Sequence, residues 1–352
     1  MASLRCAIVL VCLVCNSLAM ISPIRAGTRA LLATSMATLI ALPALTTTGA
    51  AAQSYPSKPV RLIIPFPPGG STDLIGRTFG AKFSEAWGQP VVIENRGGAN
   101  TIIGAEAAAK SAPDGYTLFL TTATTMTNNV ILYRKLPYDP RSSFALASML
   151  TVSPYLIAAH PSLPVTSVKE LVTLARQKPA QLTYGTSGNG SSGHLTGALL
   201  EIMAGIKLLH VPYKGAAAAL TDALGGQNPL VLTGAAGLAP LAKAGRIRVL
   251  ATCGETRLSG WPELPTVAES GYPGFVGITW FGLVTPAGTP KPIIERLQAE
   301  AGRVGTMPDV RERLATQGFE VLTGTPEAFA TFIARENERV TRVVKLSGIR
   351  VE

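Results

Sequence analysis

Apolar positions along this chain follow two spacings in turn. Val60, Leu62, Ile63 and Ile64 make a short run suited to a buried parallel strand, and Pro65 to Gly70 can continue neither strand nor helix. Beyond them Ile75, Phe79, Phe83 and Trp87 recur every four residues, which predicts an amphipathic helix capped by Ser71 or Thr72 and ended by Gly88 and Pro90. A strand that turns on glycines into a helix leaves first-turn amide hydrogens uncovered, and with the helix dipole these form an anion site. An ordinary strand-to-helix turn reads the same way. However, Leu182-Thr-Tyr-Gly-Thr-Ser-Gly-Asn-Gly-Ser-Ser-Gly-His-Leu195 repeats the pattern of strand, glycine turn, hydroxyls and helix. Two such turns in two α/β units suit a small anion held between them.

The same alternation runs through the chain. Strands are predicted at Val91 to Asn95, Tyr116 to Leu120, Phe144 to Leu150, Pro154 to Ala159, Leu208 to Val211, Leu230 to Leu232 and Ile247 to Ala251, with a long one from Phe275 to Val284. Helices are predicted at Ile102 to Ser111, Val168 to Gln177 behind the capping box Ser167 to Glu170, Ala216 to Leu224 and Leu238 to Ala244. Pro292 to Arg303, Asp309 to Thr316 and Ala328 to Leu346 follow, the last with Thr325 as cap, Pro326 at its first position and Gly348 as stop. Such alternation predicts a parallel sheet with helices on both faces. If Phe144 to Ala159 leaves one unit and Phe275 to Val284 returns, two strands link two lobes around a cleft. Thr121 to Thr125 would then close a strand at the edge where such sheets bind ligands.

Residues 1–52 read differently. They hold no acidic residue and only Arg5, Arg25 and Arg29 as basic ones; Arg25 and Arg29 precede the apolar run Ala30 to Leu45, and Ala50-Ala51-Ala52 fits a small-residue cleavage site. This is the pattern of a removable export signal, which places the mature chain outside the cytoplasm. A second apolar stretch, Met1 to Ala19, precedes it, and the doubling points to Met20 as the start. Removing the signal takes three of the 31 basic residues and none of the 21 acidic ones, so the formal charge falls from +10 to +7. The basic residues are scattered without a run or interleaved aromatics, which argues against nucleic acid and for attraction of small anions. Only Cys253 survives, so no internal disulfide can form.

Enzymatic patterns are incomplete. Gly188-Asn-Gly-Ser-Ser-Gly193 has the spacing of a dinucleotide turn, but Val211-Pro-Tyr-Lys214 offers no acid for a ribose hydroxyl. No glycine loop ends in Gly-Lys-Ser/Thr, no serine sits in a nucleophile elbow, and His160, His194 and His210 lack ligand spacing. His194, one turn into its helix, either faces the cleft or packs. Donors are abundant and nucleophiles scarce, so binding without catalysis is expected, with no cofactor and no metal.

From about Tyr55 to Ile349 the chain resembles the Bug receptors, the extracytoplasmic solute receptors of the tripartite tricarboxylate transporter system. The likeness rests on Tyr55-Pro-Ser-Lys-Pro-Val-Arg61, Pro65-Phe-Pro-Pro-Gly-Gly-Ser-Thr-Asp73, Glu94-Asn-Arg-Gly-Gly98, Pro113-Asp-Gly-Tyr116, Leu136-Pro-Tyr-Asp-Pro140, Val211-Pro-Tyr-Lys-Gly215, Leu264-Pro-Thr-Val-Ala-Glu-Ser-Gly271 and Trp280-Phe-Gly-Leu-Val-Thr-Pro. The resemblance implies a two-lobed α/β fold of the type II periplasmic binding protein kind, hinged on two crossing strands. Its lobes would be residues 53–152 with 279–352, and 153–278. It implies a monomer that closes like a flytrap on a small organic acid or amino acid and presents it to membrane permease subunits; a signalling receptor or a small-molecule enzyme on the same scaffold are the alternatives.

Carried across motif by motif, Phe66, Gly69, Gly70, Ser71 and Asp73 would come from the first lobe. Ser187, Gly190, Ser191, His194, Lys214 and Gly215 would come from the second, with Thr122, Thr124, Trp280 and Phe281 lining the cleft. Asp73 has a second reading, because a carboxylate in a helix's first turn is favoured by roughly 0.3 to 1 kcal/mol without any ligand. The chain departs from the family at Asn228-Pro229, where an acidic residue is usual, and this bears on contacts from the strand that follows.

Overall fold

The computed structural model describes residues 55–350, so the export-signal expectation for residues 1–52 lies outside the described residues. Two α/β lobes share one sheet, in the strand order β2-β1-β3-β9-β4-β7-β5-β6. In the first lobe β1 (Val60–Ile64) leads into α1 (Ser71–Trp87), and β2 (Val91–Asn95) and α2 (Ile102–Ala109) precede β3 (Thr117–Thr122) and the short α3 (Asn129–Leu132). The strand β4 (Phe144–Ala159) then carries the chain across. The second lobe runs α4 (Val168–Gln177), β5 (Thr183–Thr186), α5 (Ser192–Ala204), β6 (Leu209–Pro212), α6 (Ala216–Leu224), β7 (Leu230–Gly234), α7 (Leu238–Lys243) and β8 (Arg248–Thr252). The return strand β9 (Ile278–Pro286) is followed by α8 (Lys291–Thr306), α9 (Pro308–Ala315), β10 (Glu320–Val321) and α10 (Pro326–Ser347).

Helix α1 is fixed by the periodic face read from the sequence. Ile75, Phe79 and Phe83 are essentially unexposed and Phe83 stacks on Trp87 with centroids 4.8 Å apart. Burying each such side chain is worth about 1.5–3 kcal/mol, enough to hold the helix's first turn at the carboxyl end of β1. The strands within each lobe are parallel, β1 with β2 and β3, and β5 with β6 and β7.

The sheet is not parallel throughout. β9 runs antiparallel to β3 and β4, and β4 antiparallel to β7 and β8. The two strands predicted on either side of residues 151–153 are one, β4, with β9 beside its first part and β7 beside its last. Pro154 sits inside it without breaking the pairing, because the next donor, Tyr155 N–H, reaches the Gly277 carbonyl at 2.9 Å. Separate apolar clusters fill the two lobes, one around Phe79 and Leu118, the other around Tyr184 and Leu171. Among the described residues no helix is long and apolar enough to cross a membrane.

Candidate functional site

A cavity of about 240 Å³ opens where the two lobes face each other. Its floor follows from register. Thr122 of β3 pairs with Phe281 of β9, and Tyr155 of β4 pairs with Gly234 of β7, so the crossing strands deliver Thr122, Tyr155, Gly234 and Phe281 to one level, with Thr279 and Thr233 beside them. Burial pushes the Tyr155 hydroxyl up to about 12, with hydrogen bonds near Gly193, Thr279 and Ser187 acting the other way.

The first wall is the turn from β1 into α1, with Phe66, Pro67, Pro68, Gly70, Ser71 and Thr72 on the cavity. The cap differs from the sequence expectation. Gly70 is the N-cap, in an extended conformation and without a side-chain cap hydrogen bond, while Ser71 is already helical. The intrahelical ladder starts with Leu74 N–H to the Gly70 carbonyl at 3.1 Å, so the three preceding amides lack intrahelical acceptors. Asp73 does not line the cavity. Its carboxylate accepts from Gly69 N–H at 3.1 Å, Asn95 Nδ2 at 3.0 Å and Arg77 Nε at 2.9 Å. Burial alone would raise its pKa, but Arg77, Gly69 and Asn95 together hold it below the usual value. Asp73 is therefore a brace under the turn, and the Gly69 amide is spent on it. Asn95 completes the brace by donating to the Phe66 carbonyl at 3.0 Å, a role that the string Glu94-Asn-Arg-Gly-Gly98 did not disclose from sequence.

The second wall is not the expected one. The turn after β5 contributes Ser187 to the cavity, but Gly190, Ser191 and His194 point elsewhere. Ser191 caps α5 by accepting from His194 N–H at 3.3 Å, and Gly190 N–H donates to His194 Nδ1 at 3.0 Å. These donors are closed by the helix's own side chains. His194 lies flat on His210, with centroids 3.8 Å apart and planes at 8°, and both rings border a separate cavity of about 410 Å³ with Tyr184 and Glu201. Burial pushes His194 down to about 4, and burial with the neighbouring ring pushes His210 down to about 3.

The open amides come one helix later. Gly215 is the N-cap of α6, also without a side-chain cap bond, and Lys214, Gly215, Ala216, Ala217 and Ala218 line the cavity. Gly215 N–H donates to the Ser187 carbonyl at 3.2 Å, which ties the two second-lobe turns together. The walls nearly touch: a side-chain carbon on Gly215 would stand 3.4 Å from Pro67, and one on Gly234 would stand 3.0 Å from the Ser71 hydroxyl.

Trp280 is a further correction. Side chains alternate along a strand, so with Thr279 and Phe281 on the cavity Trp280 faces the other way. It is wholly buried against Phe329 and Phe332, at 5.5 and 5.8 Å between centroids. The cavity thus brings together Phe66, Gly70, Ser71, Thr122, Thr124, Ser187, Lys214, Gly215 and Phe281 of the expected residues, and leaves out Gly69, Asp73, Gly190, Ser191, His194 and Trp280. Tyr155, Thr233 and Thr279 were missed, since single hydroxyls inside strands carry no local signal. At the departure Asn228-Pro229, Asn228 is buried and packs against Gly185 in the strand next door rather than at the cavity.

Lys214 is the only charged residue of the lining, which holds no carboxylate. Among the described residues no group of three or more His, Cys, Asp or Glu could hold a metal ion. The arrangement can hold a negative group on amides and hydroxyls.

A family model described as tripartite tricarboxylate transporter family receptor matches residues 75–349. The protein BugT of Bordetella pertussis is 33% identical over 302 residues, covering 86% of this chain and 93% of BugT. Among solved structures, R. palustris Rpa4515 with adipate superposes with a TM-score of 0.82 at 36% identity, covering 84% of this chain and 99% of that one. MatC (Rpa3494) from Rhodopseudomonas palustris with bound malate gives 0.78 at 31% identity, covering 82% and 100%.

Proposed function

The chain belongs to the tripartite tricarboxylate transporter receptor family, and from that premise we propose that it is a periplasmic receptor that captures a small organic acid between its lobes and presents it to membrane permease subunits. Residues 53–152 with 279–352 close on residues 153–278, and β4 and β9 flex as the hinge. One observation carries this reading: α1 from one lobe and α6 from the other end without side-chain caps on a shared cavity that holds Lys214 and no acid.

Each helix N-terminus acts as roughly half a positive charge, so with Lys214 the cavity offers about two. That balance matches a dianion. An α-amino group would find no carboxylate to receive it, so an organic diacid is favoured over an amino acid. Phe66, Phe281, Pro67 and Pro68 give its carbon chain an apolar surface. The relatives solved with adipate and malate fit the same choice.

A thermal-shift screen tests the reading. A ligand that binds only the native state at a hundred times its Kd adds about 2.7 kcal/mol. Adipate or malate is expected to raise Tm in a dose-dependent way while glycine and lysine do not. Equal shifts from amino acids would remove the charge argument, and mass-spectrometric turnover of a bound acid would remove the non-catalytic assignment.

A further inference from the structure

Where β3 leaves the cavity the chain does not enter a regular helix. It makes a π turn, Thr124–Asn128, before α3. A π turn adds one residue to the helical repeat and swings the following side chains around the axis, and such turns gather at functional positions. Here it sets two asparagines, both wholly buried, facing in different directions.

Asn129 serves its own lobe. Its amide donates to the Asn100 carbonyl at 2.8 Å and to Thr101 Oγ1 at 3.2 Å, and its Oδ1 accepts from Asn100 Nδ2 at 2.8 Å. Asn128 reaches the other lobe, donating Nδ2 to the Gly190 carbonyl at 3.2 Å and to Ser192 Oγ at 3.1 Å. Its Oδ1 is buried without a partner. Beside it Leu132, Leu195, Val340 and Val343 form an apolar cluster between α3, α5 and α10. An aliphatic residue in place of Asn128 would extend that cluster and remove the unmet Oδ1, at the cost of the donor to the Gly190 carbonyl and the Ser192 hydroxyl, so apolar packing does not explain an asparagine there.

Its partners explain it. Gly190 closes the turn that carries Ser187 into the cavity, and Ser187 in turn accepts from Gly215 at the start of α6. On the other side, Thr122 and Thr124 lie a few residues before Asn128 and line the same cavity. We propose that Asn128 is the latch between the lobes, a positioning residue that holds the second-lobe turns against the first lobe and so sets how long a captured acid stays. The inference rests on the receptor reading above.

Adipate and malate serve as probes, with Asn128→Ala, Ser192→Ala and the double variant. Stopped-flow tryptophan fluorescence is expected to show dissociation about tenfold faster in Ser192→Ala, which loses one hydrogen bond at the closed interface, and faster again in Asn128→Ala, which loses two, with association unchanged. The double variant should be no worse than Asn128→Ala alone, because that substitution already removes both bonds. A merely structural role would lower Tm and leave the dissociation rate alone. Small-angle scattering of the ligand-free chain provides a readout that needs no acid, and the radius of gyration should rise in both variants. Unchanged dissociation together with an unchanged radius overturns the latch. If neither acid binds the wild-type chain, the diacid reading fails on its own and the scattering alone decides the latch, a larger radius supporting it and an equal one refuting it. Should Asn128→Ala not fold, Ser192→Ala carries the same test from the opposite side.

Discussion

Gly70→Asp separates ligand affinity from stability, because the two should move in opposite directions. Gly70 lines the cavity as the N-cap of α1, at φ −96° and ψ 179°, an extended backbone that any residue adopts. A side-chain carbon there meets nothing within 4 Å, so the substitution fits without strain. An aspartate at this position would cap the open amides and face the positive end of the helix. Caps and dipole together are worth about 0.5–1 kcal/mol over glycine, so the ligand-free protein is expected to become slightly more stable.

For a bound carboxylate the same change is adverse twice over. It occupies the donors, and it sets a like charge about 5 Å away, which costs on the order of 3 kcal/mol at an effective dielectric constant near 20 and about half that where water screens it. Affinity for adipate or malate should fall roughly ten- to hundredfold, and more for the diacid than for a monoacid. Gly70→Asn occupies the donors without the charge and should lose less. Titration calorimetry gives the affinities and urea unfolding the stabilities. A folded Gly70→Asp protein that binds as the wild type does would refute the placement of the anion at the start of α1.

Two further outcomes follow from the geometry. The stacked histidines have folded pKa values of about 4 and about 3 against about 6.5 unfolded, so their contribution to stability is complete above pH 6.5 and is lost as pH falls toward 4, where unfolded histidines take up protons that the folded pair refuses. Urea unfolding between pH 7.5 and 4 should show a loss on the order of 3 kcal/mol from His194 alone, reduced in His194→Gln; an identical pH slope in that variant would refute it. Trp280→Phe should lower stability by about 1–2 kcal/mol and leave affinity unchanged, since the indole packs behind the sheet and its Nε1 has no partner to lose; an affinity change in calorimetry would show that Trp280 senses the cavity.

Local pattern accounts for much of what was legible beforehand. Apolar runs at 60–64 and 230–232, the four-residue spacing from Ile75 to Trp87 and the Thr325-Pro326 start of α10 all correspond to elements, because backbone preferences and one-sided burial are written in neighbouring residues. The turn into α1 was readable for the same reason. The second turn misled because its glycines and hydroxyls look equally open, whereas Ser191 and His194 occupy the donors, and His194 is held in that pose by a ring from β6.

Sequence by itself therefore determined the α/β alternation, the two crossing segments and an anion-ready first helix. Only the tertiary structure decided strand order, which face of β9 meets the cavity, and that the second set of free amides belongs to α6 rather than α5. The reason is physical: whether a donor is free depends on every acceptor within reach, and those acceptors come from residues far apart in the chain. Strand pairing fixes them, and pairing partners leave no mark in local spacing.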